Sequence, residues 1–276
     1  MDGLQKISHT LACPRCRTPL SSDAASLACG SCGIAYRVIN GVLDMRGPSD
    51  REKAEAVDWS QHWSQEHQGR LAQKFFSWYR RAVFARTVRY FLARFFPSSG
   101  VFVEAGSGTA ETSTRVDKHG GKRMLVAVDI VLPVLFQCHP VMDARICADN
   151  FRLPFRDSSI DGLWNLGVME HFTHDKIDEM LREFRRALKP GGRVILFWPA
   201  ENSIPQKILK VAEKMINLKK REHRFRFHPD EISQLASSRQ GREVLARNGF
   251  APLYVDFGLR SLMAFKSVVG EKKQTV

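Results

Sequence analysis

The feature that most constrains the fold is a glycine-rich turn directly after a short apolar run, VFVEAGSGTAET at residues 101–112. Glycines in such a turn let the backbone bend tightly and approach a ligand. A P-loop would need Gly-Lys-Ser/Thr at its end, but Thr109, Ala110 and Glu111 follow, with no lysine. A dinucleotide fingerprint would place glycine or alanine where Glu111 stands, and a glutamate would repel the pyrophosphate. With Glu104 before the turn, the sequence favours a cationic nucleoside ligand over a phosphate.

Strand-like and helix-like segments alternate after this turn. A second strand ends at Asp129, a third near Asp149 and a fourth near Asn165, and residues 181–199 read as a helix, a Pro-Gly-Gly turn and a fifth strand. This alternation predicts a parallel, doubly wound α/β sheet. Asp129 lies about twenty residues beyond the turn, where a carboxylate can accept both hydroxyls of a ribose.

Five segments in this order resemble the class I S-adenosylmethionine-dependent methyltransferases of type 11. They are the EAGSGT loop, the acid Asp129, the ADNFRLPF segment, MEHF and LKPGGR. The loop departs from the family pattern at one position, where Ala110 replaces the third glycine. The resemblance implies a Rossmann-like seven-stranded sheet, mostly parallel with the last strand antiparallel, and helices on both faces. It also implies S-adenosyl-L-methionine as cofactor. The cofactor-binding residues that it implies are Glu104, Gly106, Gly108, Asp129, Ile130, Asp149, Asn150, Asn165 and Leu166.

Methyl transfer from a sulfonium needs a general base only when the acceptor has a proton to lose, as a hydroxyl does. His171 follows the fourth predicted strand and is the candidate for that catalytic role. The Asn/Asp-Pro-Pro-Tyr/Phe motif of enzymes that methylate exocyclic amines is absent, since Asn165 is followed by Leu-Gly-Val. The sequence therefore argues against those base methylases.

Four cysteines near the N-terminus form C-x2-C, twelve residues, and a second C-x2-C: Cys13, Cys16, Cys29 and Cys32. Two such pairs are typical of a closed tetrahedral zinc site that is structural, because it leaves no position for water. Two short strands with a turn at Asn40 and Gly41 are expected to follow. The pattern resembles the zinc ribbons of the methyltransferase-activator family, whose domains partner or adjoin methyltransferases.

These patterns predict three regions. The zinc ribbon covers residues 1–48, a helical linker with N-terminal cap helices covers 49–97, and the methyltransferase domain covers 98–270 with a basic helical insertion at about 203–228. Cys138 and Cys147 are expected to be ordinary buried thiols.

The net charge of +13 is concentrated in two segments. Residues 67–103 contain seven arginines and lysines and no acid, and residues 203–228 carry a net charge of six. Basic segments of this kind attract anions. The leading hypothesis is therefore a methyltransferase for an anionic small-molecule or lipid-linked acceptor. An RNA methyltransferase, for rRNA or tRNA, is the alternative, and a protein methyltransferase or a non-catalytic partner is a third.

Localisation follows from the apolar pattern. No apolar run approaches the roughly 18–20 residues that cross a bilayer, and the N-terminal residues lack the apolar core of a signal peptide. We expect a cytoplasmic protein, in peripheral contact with a membrane if its acceptor is lipid-linked.

Overall fold

The structure is a computed structural model, and it describes residues 2–23, 26–47, 78, 80–201, 231–256, 258–261 and 263–274. The predicted basic insertion at 203–228 and the linker residues 49–77 lie outside the described residues. Statements below about helices, strands and contacts concern the described residues.

The predicted doubly wound sheet is confirmed, but it has eleven strands instead of the seven expected, because four strands of the N-terminal ribbon extend it. The other seven strands follow the ribbon in the chain. They are β5 (Gly100–Ala105), β6 (Arg123–Asp129), β7 (Ala144–Cys147), β8 (Ile160–Leu166), β9 (Leu188–Pro199), β10 (Phe250–Val255) and β11 (Phe265–Lys272). Their spatial order is β7-β6-β5-β8-β9-β11-β10. The first five pair in parallel, and β11 pairs antiparallel with both β9 and β10. The last strand is therefore the antiparallel one, as expected.

Strands β5, β6 and β8 are buried along almost their whole length, since helices cover both faces of the sheet. The helices are α1 (Asp2–Ile7), α2 (Ala85–Phe95), α3 (Leu132–Phe136), α4 (His174–Ala187) and α5 (Ser238–Arg247). Helix α4 packs into one core cluster through Ile177, Leu181 and Phe184. Helix α2 packs into the other through Val88 and Phe91. The arginines of α2 therefore face outward, at the periodicity expected for an amphipathic helix.

The N-terminal ribbon continues the same sheet. Its strands are β1 (Ser21–Asp23), β2 (Ser26–Ala28), β3 (Ala35–Ile39) and β4 (Val42–Asp44), paired antiparallel in that order. Asn40 and Gly41 both have positive φ angles, 49° and 78°, in the two-residue turn between β3 and β4. Strand β4 then pairs in parallel with β7, so that the ribbon and the larger domain share one eleven-stranded sheet.

Among the residues that the structure describes, no helix is both long enough and apolar enough to cross a membrane.

Candidate functional site

The glycine turn lies at the carboxyl end of β5, in the centre of the sheet. Gly106 has a φ of 72°, and a Cβ there would lie 2.5 Å from Val168 Cγ2, so both conformation and space require glycine. Gly108 has a φ of 51°, and Ala110, at the position of the third family glycine, has a φ of 56°. The chain thus adopts the left-handed conformation at this position although an alanine occupies it. A backbone of this shape can approach a ligand closely.

Glu104, the acid before the turn, lies under the loop. Its side chain is buried, and its carboxylate accepts hydrogen bonds from Ser113 Oγ at 2.8 Å and Thr112 Oγ1 at 3.3 Å. Burial raises the pKa of Glu104 to about 7, although the hydrogen bonds from the two hydroxyl groups favour the ionised carboxylate. Glu104 therefore fixes the turn from below and changes charge near neutral pH.

Asp129 ends β6, next to the turn. Its Oδ2 accepts the Gly108 N–H at 2.8 Å, and its Oδ1 accepts the Val131 N–H at 2.9 Å. Burial raises the pKa of this carboxyl, although the two amides favour its ionised form. A carboxylate offers about four lone-pair positions, so two remain for other donors. Asp129 thus joins the loops after β5 and β6 and keeps capacity for a ligand.

Asp149 and Asn150 follow β7, the next strand outward. Asp149 is buried, and its Oδ1 accepts the Phe151 N–H at 3.0 Å. Asn150 Oδ1 is buried and has no hydrogen-bond partner among the described residues. The pairing of β6 with β7 brings this segment beside Asp129, since Ala148 N–H donates to the Asp129 carbonyl at 2.9 Å. The structure therefore places the predicted ribose and adenine residues on neighbouring strand ends.

Asn165 and Leu166 end β8, on the other side of the turn. The Asn165 side chain is fully buried, yet within the described part of the chain neither its oxygen nor its nitrogen has a hydrogen-bond partner. Buried polar atoms without partners are rare in folded proteins, and a bound polar ligand is one way to satisfy them. The unsatisfied atoms of Asn150 and Asn165 therefore fit a site that a nucleoside cofactor would complete.

His171 and Glu170 form a short turn after β8. His171 Nε2 lies 3.8 Å from Glu170 Oε1, and Glu170 Oε2 has no hydrogen-bond partner among the described residues. Burial raises the pKa of Glu170 to about 8. The Glu170 carbonyl also accepts the N–H groups of Ile232 and Ser233, at 2.6 and 3.0 Å. The chain thus returns to the domain at this turn after the insertion.

The segment before α2 closes against the loop that follows the glycine turn. Arg81 Nη2 donates to Glu111 Oε1 at 2.8 Å, and Arg115 Nε donates to the Arg81 carbonyl at 3.1 Å. The arginine face, which we define as Arg86, Arg89 and Arg94 of α2, is exposed and starts directly after this contact. Arg81 and Arg115 therefore place cationic side chains beside the loop that follows the glycine turn.

The ribbon cysteines form the predicted metal centre. The four Sγ atoms of Cys13, Cys16, Cys29 and Cys32 all lie within 4.8 Å of one another. Two of these separations are 3.3 Å, between Cys16 and Cys29, and 3.6 Å, between Cys13 and Cys32. Tetrahedral Zn–S bonds of about 2.3 Å imply Sγ separations of about 3.8 Å. The cluster therefore suits a structural zinc ion, whereas Cys138 and Cys147 are buried thiols outside it, as predicted.

Two residues near the site could not be identified from the sequence. Asp44 and Arg46 follow the ribbon turn, and the Arg46 Nη1 donates to the carbonyl of Ile130, the residue after Asp129, at 3.3 Å. Their contact depends on the pairing of β4 with β7, which joins residues about a hundred positions apart. No local spacing signals such a pairing.

Two family matches agree with this geometry. Residues 103–196 match the methyltransferase domain family, and residues 5–41 match the Trm112p-like protein family. The first match covers the strands around the glycine turn, and the second covers the four-cysteine ribbon.

Similar proteins point in the same direction. The human protein named Probable tRNA methyltransferase 9B is 38% identical over 61 residues, which cover 21% of this chain and 13% of that protein. A fission yeast protein named as an uncharacterized methyltransferase, from Schizosaccharomyces pombe, is 30% identical over 122 residues, covering 42% of this chain and 47% of that protein. The chain thus spans less than half the length of these relatives.

Two solved structures share the fold. One is a chain of the complex between the Haloferax volcanii Trm112 methyltransferase activator and its methyltransferase partner, with a TM-score of 0.52, 15% identity, and coverage of 74% of this chain and 96% of that one. The other is the 1,6-didemethyltoxoflavin-N1-methyltransferase of Burkholderia thailandensis, with a TM-score of 0.52, 14% identity, and coverage of 92% and 99%. The chain thus contains a segment, residues 103–196, that matches the methyltransferase domain family, and before it a four-cysteine ribbon that matches the Trm112p-like protein family.

Proposed function

We propose that this protein transfers a methyl group from S-adenosylmethionine to an anionic acceptor. The observation that carries the proposal is the meeting of three polar strand ends around the glycine turn, with Asp129 bonded to Gly108 and with buried, unsatisfied amide groups at Asn150 and Asn165. S-adenosylmethionine would supply the activated methyl group, and the protein would supply alignment of donor and acceptor.

Each predicted site residue has a role in this proposal. The two open lone-pair positions of Asp129 would accept the ribose hydroxyls, with Ile130 beside them. Asp149 and Asn150 would border the adenine, and Asn165 with Leu166 would form the floor below the sulfonium. Gly106 and Gly108 would let the backbone approach the methionine end, above the buried carboxyl of Glu104.

Proton handling would fall to the turn after β8. His171 would accept the proton of an acceptor hydroxyl, with Glu170 Oε1 3.8 Å from its Nε2. Because its pKa is raised to about 8, Glu170 would hold a proton at neutral pH and would not compete as an anion for the sulfonium. An acceptor that has no proton to lose would need neither group.

The arginine face supports an anionic acceptor. Arg86, Arg89 and Arg94 are exposed on the helix that follows the segment contacting Glu111, and Arg260 lies over the Tyr90 ring with its Cζ 3.6 Å from the ring centroid. We infer a small-molecule or lipid-linked acceptor that carries phosphate or carboxylate; in the lipid-linked case the protein would contact a membrane surface.

RNA is the second candidate acceptor, and two findings favour it. One is the Trm112p-like ribbon, and the other is the likeness over 61 residues to a protein named for tRNA methylation. The same arginines, with Tyr90 and Tyr254 beside them, would suit a phosphate backbone and stacked bases.

A methyl-transfer screen tests these alternatives. The protein is incubated with S-adenosylmethionine labelled on its methyl group and with lipid, RNA and metabolite fractions of a cell extract. Label in the metabolite or lipid fraction supports the first candidate, and label in RNA supports the second. Label only in a protein fraction that is tested in parallel, or no label in any fraction, contradicts both and points to a protein methyltransferase or a non-catalytic partner.

A further inference from the structure

The end of the ribbon is buried inside the larger domain. Val42, Leu43, Asp44 and Met45 are at most 4% exposed. Leu43 pairs with Ile146 and Asp44 with Cys147 in the parallel ladder between β4 and β7, and Met45 N–H donates to the Cys147 carbonyl at 2.8 Å. Because β7 lies next to β6 and Asp129, the ribbon ends one strand away from the proposed cofactor site.

A fork of hydrogen bonds extends from this strand toward that site. Arg46 Nε donates to Asp44 Oδ1 at 2.9 Å and Arg46 Nη2 donates to Asp44 Oδ2 at 3.0 Å, a bidentate pair. The side chains of Arg46 and Asp44 are only 11% and 4% exposed. The remaining guanidinium nitrogen, Nη1, donates to the Ile130 carbonyl at 3.3 Å, where the Cys147 thiol also donates at 3.4 Å.

Ile130 is flanked by the residues that organise the donor site. Asp129 precedes it and holds the Gly108 N–H, and Val131 follows it and donates to Asp129 Oδ1. A guanidinium bonded to the Ile130 carbonyl restricts the rotation of the Ile130–Val131 peptide unit, whose N–H donates to Asp129 Oδ1. The contacts therefore run without a gap from the ribbon to the glycine turn, by way of Arg46, Ile130 and Asp129.

We propose that Arg46 is a positioning residue for the methyl donor, and that the ribbon uses it to hold the Asp129 loop in its binding conformation. The proposal rests on the proposed function, because the nucleoside part of S-adenosylmethionine is what the loop would hold. It predicts that part of the cofactor affinity of the domain resides in the ribbon, outside the residues that contact the cofactor.

Arg17 offers a matched control on the same interface. It also joins the ribbon to the larger domain, with Nη1 2.9 Å from Glu183 Oε1 and 2.9 Å from the Leu153 carbonyl. That carbonyl keeps a second donor, Arg186 Nη2 at 3.2 Å, when Arg17 is removed. Arg17 therefore contributes to docking of the ribbon without reaching the Asp129 loop.

The test compares Arg46→Gln, Arg46→Lys and Arg17→Gln in the full zinc-loaded chain. The dissociation constants of S-adenosylmethionine and S-adenosylhomocysteine are measured by calorimetry, and thermal stability is measured in parallel. We expect Arg46→Gln to weaken both ligands about fivefold to tenfold, the loss that one or two hydrogen bonds imply. Arg46→Lys should recover part of that loss, since lysine keeps the charge but not the fork. Arg17→Gln should lower stability and change affinity less than about twofold.

The outcomes distinguish failure of the proposed function from failure of the proposed role of Arg46. If the unaltered protein binds neither ligand, the proposed function fails. If it binds, and folded Arg46→Gln binds as tightly or Arg17→Gln loses as much affinity, the role of Arg46 is refuted. Should Arg46→Gln not fold because the buried Asp44 carboxylate loses its guanidinium partner, the double variant Asp44→Asn/Arg46→Gln removes that charge and gives the same comparison.

Discussion

The four-cysteine ribbon contrasts with the carboxyl edge of the sheet, which we call the donor edge because the proposed methyl-donor site lies there. The ribbon brings its four thiols together within the 20 residues from Cys13 to Cys32, through tight turns and short strands, and depends on a metal for stability. The donor edge gathers Glu104, Asp129, Asp149 and Asn165 from four strands, through a ladder of parallel pairs and a shared core. The spacing of cysteines in the sequence therefore determines the zinc site, whereas the order of strands in the sheet determines the site on the donor edge.

Removal of zinc should have the largest effect, and the loss of folded structure should be confined to the ribbon. Structural zinc contributes on the order of 10–16 kcal/mol in small zinc domains, so the ribbon cannot remain folded without it. After chelation we expect amide exchange protection to vanish in β3 and to survive in β8 and β9. Elemental analysis of the native protein should return about one zinc ion per chain. If the zinc-free protein retained amide exchange protection in β3, the ribbon would not depend on zinc for its fold. The proposed contrast between the two regions would then be wrong.

Replacing Asp129 tests the distributed site. Asp129→Ala removes the proposed ribose acceptor and the partner of Gly108 N–H, so cofactor affinity should fall at least about tenfold by calorimetry. Asp175→Ala, at an exposed acid in the first turn of α4, serves as the control and should leave affinity unchanged. Equal affinities for the two variants would show that Asp129 is structural only.

The buried carboxyl of Glu170 predicts a pH dependence in the donor region. Its pKa is about 8 in the folded chain against an ordinary value of 4.5, so the folded state keeps a proton that the unfolded state loses. The contribution of this group to stability is full below pH 4.5 and falls as the pH rises toward 8. Glu170→Gln, which stays neutral, should therefore gain stability over the native chain across that window, by on the order of 1–3 kcal/mol at pH 8.

Urea unfolding of the two proteins at pH 5 and pH 8 measures that difference. A gap that stays constant between the two pH values, or that narrows, would show that Glu170 ionises normally. The Glu170→Gln change does not touch the ribbon, so the exchange protection of β3 should be equal in both proteins.

Ala110→Gly should have the smallest effect. Relief of the left-handed conformation of Ala110 is worth about 1 kcal/mol, and the loss of its buried methyl group costs about 0.8 kcal/mol. The two nearly cancel, so the free energy of unfolding should change by less than about 1 kcal/mol. A change above about 2 kcal/mol would mean that the alanine methyl group has a packing role specific to this loop.

Sequence patterns predicted the parts of the molecule that depend on local spacing. The four-cysteine cluster, the Asn40-Gly41 turn and the doubly wound sheet with its antiparallel last strand are confirmed, although the sheet has eleven strands instead of seven. The roles of the cofactor residues and of His171 stay predictions, although the structure places them at strand ends on one edge of the sheet. The pairing of β4 with β7 could not be predicted, because it depends on register between distant segments, and Arg46 was missed with it.

The most direct test of the central claim is titration of the unaltered zinc-loaded protein with S-adenosylmethionine, with S-adenosylhomocysteine as competitor. We predict one binding site per chain and a rise in melting temperature with ligand concentration, because a ligand that binds only the folded state stabilises it. Absence of both binding heat and a thermal shift at about 1 mM ligand would contradict it, since a working donor site would be occupied at that concentration.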